Sequence, residues 1–406
     1  MITYGEVFAG IGAARAAFGS LGWYDQYVIE KKNSALAQYL YNWDREFRDV
    51  VDSQDWAGLS QEKIHNEILQ LAGMWSSNKL YRDLYTVNRE IMLQGRSNFE
   101  VDVCMTSPPC QSFSVAGARG GLVENGDLFF ENHRFLELTR PKVFILENVP
   151  GMMSIKEDSR YDSLAQKQKG KLYRYKELEK GTPFFERDTF YDIILPSMGI
   201  TANSIKYPKN LTIHVWRELE TKIVSLKPLP YRLFFRRIQA TSFGSPMSRE
   251  RLIIVGFRED LNIKSFDWKI PVTIRPKKVL SIIEPNRPYS DDFRFKQFYP
   301  GEPYHYNALK SRKVIDSQGL HFDELADPFI STLTTKIDPA RSTVIRNDNG
   351  DYRNFADEQM RRLMGFPDGF ASNIVSESAY VANYGNSIYV PMLKHIGRRI
   401  INALKA

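Results

Sequence analysis

Short apolar runs bounded by turn residues recur through the first half of the chain, and between them lie segments with apolar positions at helical spacing. Residues 2–8 read as a strand, Gly10-Ile11-Gly12 as a turn and residues 13–21 as a helix, after which residues 27–30 and 34–41 repeat strand and helix. Residues 101–106, 143–146 and 252–257 are further apolar runs of the length expected of buried strands. This alternation predicts an α/β fold built on a doubly wound, mainly parallel sheet. Open sheets of that kind gather their ligands at the C-terminal ends of the strands.

Two stretches break the rhythm. Residues 60–94 carry Ile64, Ile68, Leu71 and Trp75 on one helical face, and residues 152–230 are mixed, basic and aromatic, with lysines clustered at 167–180. Both read as insertions, about 56–99 and 152–230, packed on the domain they interrupt. Beyond residue 257 the pattern becomes irregular, with Pro, charged and aromatic residues over 260–325; helical spacing returns at 355–364 and 391–404. The expected organisation is a large domain of 1–259 completed by 345–406, with a smaller module of 260–344 between them.

Composition narrows this picture. With 406 residues and 43% apolar content, the chain can build two domains without covalent staples. Cys104 and Cys110 are its only cysteines, so no disulfide framework is expected and no zinc site; a reducing compartment fits, the cytoplasm or, in a nucleated cell, the nucleus. No secretory signal precedes the first strand, and no apolar run is long enough to span a membrane. The formal charge of +7 suits a polyanionic partner without establishing one.

Candidate chemistry lies at the strand ends. Pro108-Pro109-Cys110-Gln111 follows one apolar run, and Glu147-Asn148-Val149 ends the next. A cysteine on a proline-stiffened polar loop is a candidate nucleophile in its thiolate form, and Glu147 a candidate proton-handling carboxylate. Cys104, inside the strand, reads as an inert buried thiol. Phe8-Ala9-Gly10-Ile11-Gly12 is a glycine turn that opens a helix, and Glu30 ends the next strand, where Rossmann-type folds hold an acid for ribose hydroxyls. Arg249 and Arg251, two residues apart at the start of a strand, share a face and can clamp a base and its phosphate; in isolation they read as a solvated edge. The glycine-rich residues 116–127 read as a mobile loop.

In this order the motifs resemble those of the cytosine-5 DNA methyltransferases. The resemblance covers both ends of the chain, with gaps at the two insertions and at 260–325. It implies a Rossmann-like S-adenosylmethionine-dependent methyltransferase domain with a second, smaller target-recognition domain. It also implies that Cys110 and Glu147, with Arg249 and Arg251, act on a cytosine flipped out of double-stranded DNA, leaving S-adenosylhomocysteine as product. The cofactor would be held by Phe8, Ala9, Gly10, Ile11, Gly12 and Glu30. Lys31 would stand beside the adenine, where the family often has an apolar or aromatic residue, and Asp52, favoured over Asp49 and Asp55, would make a third acidic contact. Pro109, Leu128 and the Asn386 and Ser387 of Tyr384-Gly385-Asn386-Ser387 would complete the pocket, although a helix N-cap explains the last two equally well in isolation. Arg353 and Arg362 to Pro367 resemble the family's ninth motif, with Gln359 where glutamate is usual; Met247 stands where a glutamine usually precedes the first arginine. A cognate restriction or defence system is the expected partner. Two alternatives stay open, a tRNA cytosine-5 methyltransferase and a catalytically silent DNA-binding protein. The long segment before the ninth motif favours DNA, and the intact Cys110, Glu147 and glycine turn favour catalysis.

Overall fold

A computed structural model describes residues 1–109, 121–154, 156–158, 167–168, 171–172, 186–188, 190, 194–201, 211–217, 220–271, 314–321, 329–335, 343–346, 348, 352–353 and 355–405. Eight strands form one sheet: β1 (Thr3–Val7), β2 (Tyr24–Ile29), β3 (Leu80–Tyr81), β4 (Val103–Thr106), β5 (Val143–Asn148), β6 (Ile200–Thr201), β7 (Tyr231–Gln239) and β8 (Glu250–Arg258). Their order across the sheet is β6-β7-β8-β5-β4-β1-β2-β3. Neighbours are parallel except at β8, which runs antiparallel to both β5 and β7.

All six residues of β5 are buried. Val143 and Ile145 join an apolar core on one face of the sheet, and Phe144 and Leu146 join the core on the other. A strand covered on both faces therefore reads as an unbroken apolar run and not as an alternating one. The first core takes in Phe18 of α1 (Ala13–Gly19), Leu36 of α2 (Asn33–Trp43), which α3 (Arg45–Asp52) follows, and Ile396 of a helix near the C-terminal end of the chain. The opposite core takes in Val87 and Ile91 of α5 (Leu84–Gln94), the helix after α4 (Gln61–Met74), and Phe135 and Leu136 of α6 (Gly121–Thr139). The result is a three-layer α/β sandwich. Three helices close the chain: α7 (Asp357–Met364), α8 (Glu377–Asn386) and α9 (Val390–Lys405).

From β1 the chain steps outward to β2 and β3 and returns as β4 on the other side of β1. That reversal opens a crevice at the C-terminal ends of β1 and β4. Because β8 runs the opposite way, its N-terminal end meets the same edge, and this brings Arg251 to the crevice.

Both supposed insertions contribute to the sheet. Within residues 56–99, α4 leads into β3, which pairs Leu80 with Val28 of β2, and α5 packs on α6. Within residues 152–230, β6 pairs Ile200 with Arg232 of β7. Strands of two residues are too short to carry a hydrophobic period, so sequence pattern passes over them. The start of the smaller module also shifts. Phe266 packs on Phe257 and Phe234, His395 Nε2 of α9 lies 2.9 Å from the Trp268 carbonyl, and Arg399 pairs with Asp267 at 3.1 Å. The described residues 260–271 thus belong to the large body.

A separate small sheet comprises β9 (Val314–Asp316), β10 (Gly319–His321), β11 (Val344–Arg346) and β12 (Tyr352–Arg353), ordered β10-β9-β11-β12. It straddles the boundary expected at residue 344. Residues 272–313, which hold much of the basic and aromatic run, lie outside the described residues. No helix among the described residues is long and apolar enough to cross a membrane.

Candidate active site

A cavity of about 260 Å³ lies at the crevice, walled by the residues that follow β1, β2, β4 and β5. After β1 the backbone turns sharply: Phe8 and Gly10 both have φ 59°, and Gly12 has φ 86°. A non-glycine residue held in this region costs roughly 1–3 kcal/mol, so Phe8 marks stored strain at the cavity wall. At Gly12 a Cβ would lie 2.5 Å from Trp43 Nε1, whereas at Gly10 nothing lies within 4 Å of where a Cβ would stand. One glycine permits close packing and the other leaves room. Ala9 N–H donates to the Ile29 carbonyl at 3.2 Å, and Trp43 Nε1 donates to the Ile11 carbonyl at 3.4 Å.

Glu30 fastens this turn. Its Oε2 accepts from Gly10 N–H and its Oε1 from Lys32 N–H, each at 2.7 Å. Burial pushes its carboxyl above the ordinary range, and those N–H bonds pull the other way. Lys31, expected at the adenine, points away and pairs with Asp83 at 2.8 Å. The adjacent Lys32 lines the cavity instead, its Nζ donating to Asn383 Oδ1 at 2.9 Å. Asp52 is also displaced from its expected place: it ends α3 and accepts from the Tyr41 hydroxyl at 2.8 Å, away from the cavity. Asp49 pairs with Arg45, and Asp55 caps its own turn at Ala57. The acid just beyond β3 is Asp83, which caps α5 through Tyr85 N–H at 2.8 Å.

Pro109, Asn386 and Ser387 line the cavity; Leu128, half-buried on α6, does not. Asn386 ends α8 and Ser387 follows as its C-terminal cap, so an N-cap does not account for them. The Ser387 hydroxyl is buried and has no hydrogen-bond partner among the described residues.

Glu6, Lys32, Ser107 and Asn383 line the cavity and were not singled out in the sequence. Burial pushes the Glu6 carboxyl from an ordinary 4.5 to about 8, with the Arg15 charge pulling downward. Between those values the folded protein holds a proton that the unfolded chain has lost. Stability contributed by that proton is complete below 4.5 and is lost as pH rises through 8. Glu6→Gln should therefore flatten the fall in urea midpoint between acidic and mildly alkaline buffer. A slope as steep as that of the unsubstituted protein would trace the effect to another group.

Glu147 is the penultimate residue of β5, at 5% exposure. Its Oε1 faces Arg251 Nε at 2.9 Å, and its Oε2 accepts from the Ser107 hydroxyl. Asn148 Nδ2 donates to the Pro108 carbonyl at 3.1 Å, which fixes the loop leading toward Cys110. Cys110 itself lies outside the described residues. Cys104 is buried, and burial pushes its thiol to about 12, as an inert structural cysteine requires.

Arg249 departs from the expected clamp. It is fully buried, donating from Nη1 to Thr332 Oγ1 at 3.1 Å and to the Leu333 carbonyl at 3.0 Å, and from Nη2 to the carbonyls of Gly385 (2.8 Å) and Ser387. It precedes β8, so strand alternation does not carry it to the face of Arg251. Met247 is a core residue that bridges to Ile330. Gln359 accepts from Ala356 N–H at 3.0 Å and closes the start of α7.

The sequence profile described as C-5 cytosine-specific DNA methylase matches residues 70–177 and 209–402, well over half of the chain. The Type II methyltransferase M.BsuFI of Bacillus subtilis is 24% identical over 97% of this chain and 71% of its own length. M.HaeII of Haemophilus aegyptius is 23% identical over 98% of this chain and 92% of its own. Among solved structures, the Dnmt2 methyltransferase of S. pombe superposes with a TM-score of 0.59 at 14% identity, and a putative DNA modification methyltransferase from an E. coli prophage with 0.53 at 15%; both span all of each chain. These two likenesses are of fold. Taken with the profile match, the Rossmann-like sheet and the ordered motifs around its crevice assign the family: the chain belongs to the C-5 cytosine-specific DNA methylases and is a DNA cytosine-5 methyltransferase.

Proposed function

We propose that the protein methylates carbon 5 of a cytosine flipped from a specific sequence in double-stranded DNA, as the modification partner of a restriction or defence system. The observation that carries this reading is the Glu147 carboxyl, held between Arg251 and Ser107 in the wall of the cavity that the glycine turn also lines. The relatives named as Type II methyltransferases support the restriction setting, and a composition with two cysteines supports a reducing cytoplasm.

The family implies S-adenosylmethionine, and the cavity fits it. The open space at Gly10, the Glu30 carboxylate and the unpartnered Ser387 hydroxyl offer room, an acceptor for ribose hydroxyls and a polar group awaiting a ligand. Phe8 to Ile11, Glu30, Lys32, Pro109, Asn386 and Ser387 would hold the cofactor, which supplies an electrophilic methyl group when bound, with Gly12 packed behind them on Trp43.

A base stacked in duplex DNA cannot enter, and flipping it costs a few kcal/mol. The Cys110 thiolate then forms a bond to carbon 6. The electron pair of the ring's 5,6 double bond shifts toward N3, which takes the proton carried by Glu147, and carbon 5 becomes nucleophilic. Once carbon 5 carries the methyl group, water takes its proton, the pair left behind re-forms the 5,6 double bond, the bond from carbon 6 to sulfur breaks with its pair on the Cys110 thiolate, and N3 returns its proton to Glu147. Arg251 keeps the Glu147 carboxyl facing the base edge.

Residues 272–313 together with the small sheet are proposed to read the sequence. Incubation with labelled S-adenosylmethionine and either DNA or tRNA tests the whole reading. Label should enter DNA, and conversion sequencing should place it at cytosines of one short sequence. Label confined to tRNA, or in neither, would overturn it.

A further inference from the structure

We infer that Ser107 is a positioning residue that sets which oxygen of Glu147 delivers the proton to the base. The inference rests on the reading of Glu147 given above. Arg251 Nε lies 2.9 Å from Oε1 and can only donate, so Oε1 must remain an acceptor in every protonation state. The Ser107 hydroxyl donates to Oε2, but a hydroxyl can also rotate and accept. The cationic Arg251 draws the carboxylate charge to Oε1 and disfavours a proton there, whereas the neutral Ser107 hydroxyl accommodates a proton on Oε2. The proton bound for N3 is therefore carried on Oε2, and it returns there when N3 gives it up.

Geometry adds to this chemistry. Ser107 immediately follows β4, Glu147 is the penultimate residue of the neighbouring β5, and Arg251 comes from β8 on the far side of β5. The carboxyl is thus gripped from both sides across three adjacent strands. With both oxygens held, its plane is fixed before a base arrives, and each oxygen keeps further acceptor capacity for the base edge. Backbone contacts fix the loop on each side of the serine: Ser107 N–H donates to the Val7 carbonyl at 3.3 Å, and the Pro108 carbonyl accepts from Asn148. The hydroxyl is consequently placed by the sheet and not by a mobile loop.

The experiment compares Ser107→Ala, Ser107→Thr, Glu147→Gln and the double variant Ser107→Ala/Glu147→Gln by single-turnover methyl transfer, with DNA and cofactor affinity measured beside it. Ser107→Ala should lower turnover about 10- to 100-fold, the scale of a lost hydrogen bond to a charged group, with little change in either affinity. Ser107→Thr, which keeps a hydroxyl, should restore most of the rate. In the Glu147→Gln background, loss of the hydroxyl should have no further effect, because there is no longer a proton to place. An undiminished rate in Ser107→Ala, a threonine variant as slow as alanine, or independent effects in the double variant would each overturn the assignment while Glu147 kept its role. Full turnover in Glu147→Gln would overturn the reading of Glu147, and this inference with it.

Discussion

Cys110→Ala is expected to abolish methyl transfer while cofactor binding stays near that of the unsubstituted protein. The two functions draw on different parts of the cavity wall. The glycine turn after β1, Glu30 after β2 and Ser387 after α8 make up the side of the cavity proposed to hold the cofactor, and none of them depends on a thiol. Cys110 directly follows Pro109, the last described residue of the loop that Asn148 pins. Without sulfur there is no bond to carbon 6 and no way to raise the electron density at carbon 5, so the loss should be complete within detection. DNA carrying 5-fluorocytosine at the target site should trap the unsubstituted protein covalently, because fluorine cannot leave as a proton does. Methyl transfer by the alanine variant at a near-normal rate would remove Cys110 from the mechanism.

Glu147→Gln should lower turnover by roughly 10²–10⁴-fold, the usual contribution of positioned acid–base assistance. Glutamine preserves the shape and an acceptor oxygen for Arg251, so affinity for DNA should fall much less than the rate. At 5% exposure the Glu147 side chain itself is largely shielded from bulk water, so solvent is a poor substitute for it as the proton donor. Turnover equal to that of the unsubstituted protein would show that N3 takes its proton from elsewhere.

The features legible in the sequence share one property: chemistry-bearing residues placed directly at the end of a strong apolar run. Glu147 follows four buried residues of β5, and the Pro108-Pro109 loop follows β4, so both strand and site announce themselves together. The glycine turn after β1 is legible for the same reason. What escaped was short or inverted. β3 and β6 have two residues each, and without them Asp83 lost its strand and two core segments read as insertions. Lys31 and Lys32 are adjacent, and only the geometry of the step from β2 into α2 decides which one faces the cavity. Glu6 lies within a buried strand, where no motif marks it. Arg249 lies two residues from Arg251, which suggests a shared substrate contact, whereas its guanidinium is spent on the Thr332 hydroxyl and on backbone carbonyls of Leu333, Gly385 and Ser387.

That guanidinium has a consequence for grafting. It holds Thr332 and Leu333 with one nitrogen and the carbonyls of Gly385 and Ser387 with the other, so it joins the return from the segment proposed to read the sequence to the wall of the cavity. A donor sequence spliced between residues 272 and 328 leaves all four acceptors native. A splice that extends past residue 333 removes the Thr332 hydroxyl unless the donor supplies an acceptor of its own, a loss on the scale of about 1.5–3 kcal/mol for a hydrogen bond to a charged group. Exchange of target specificity by domain transplant thus has a natural suture line upstream of Phe329, drawn by an arginine that need never touch DNA.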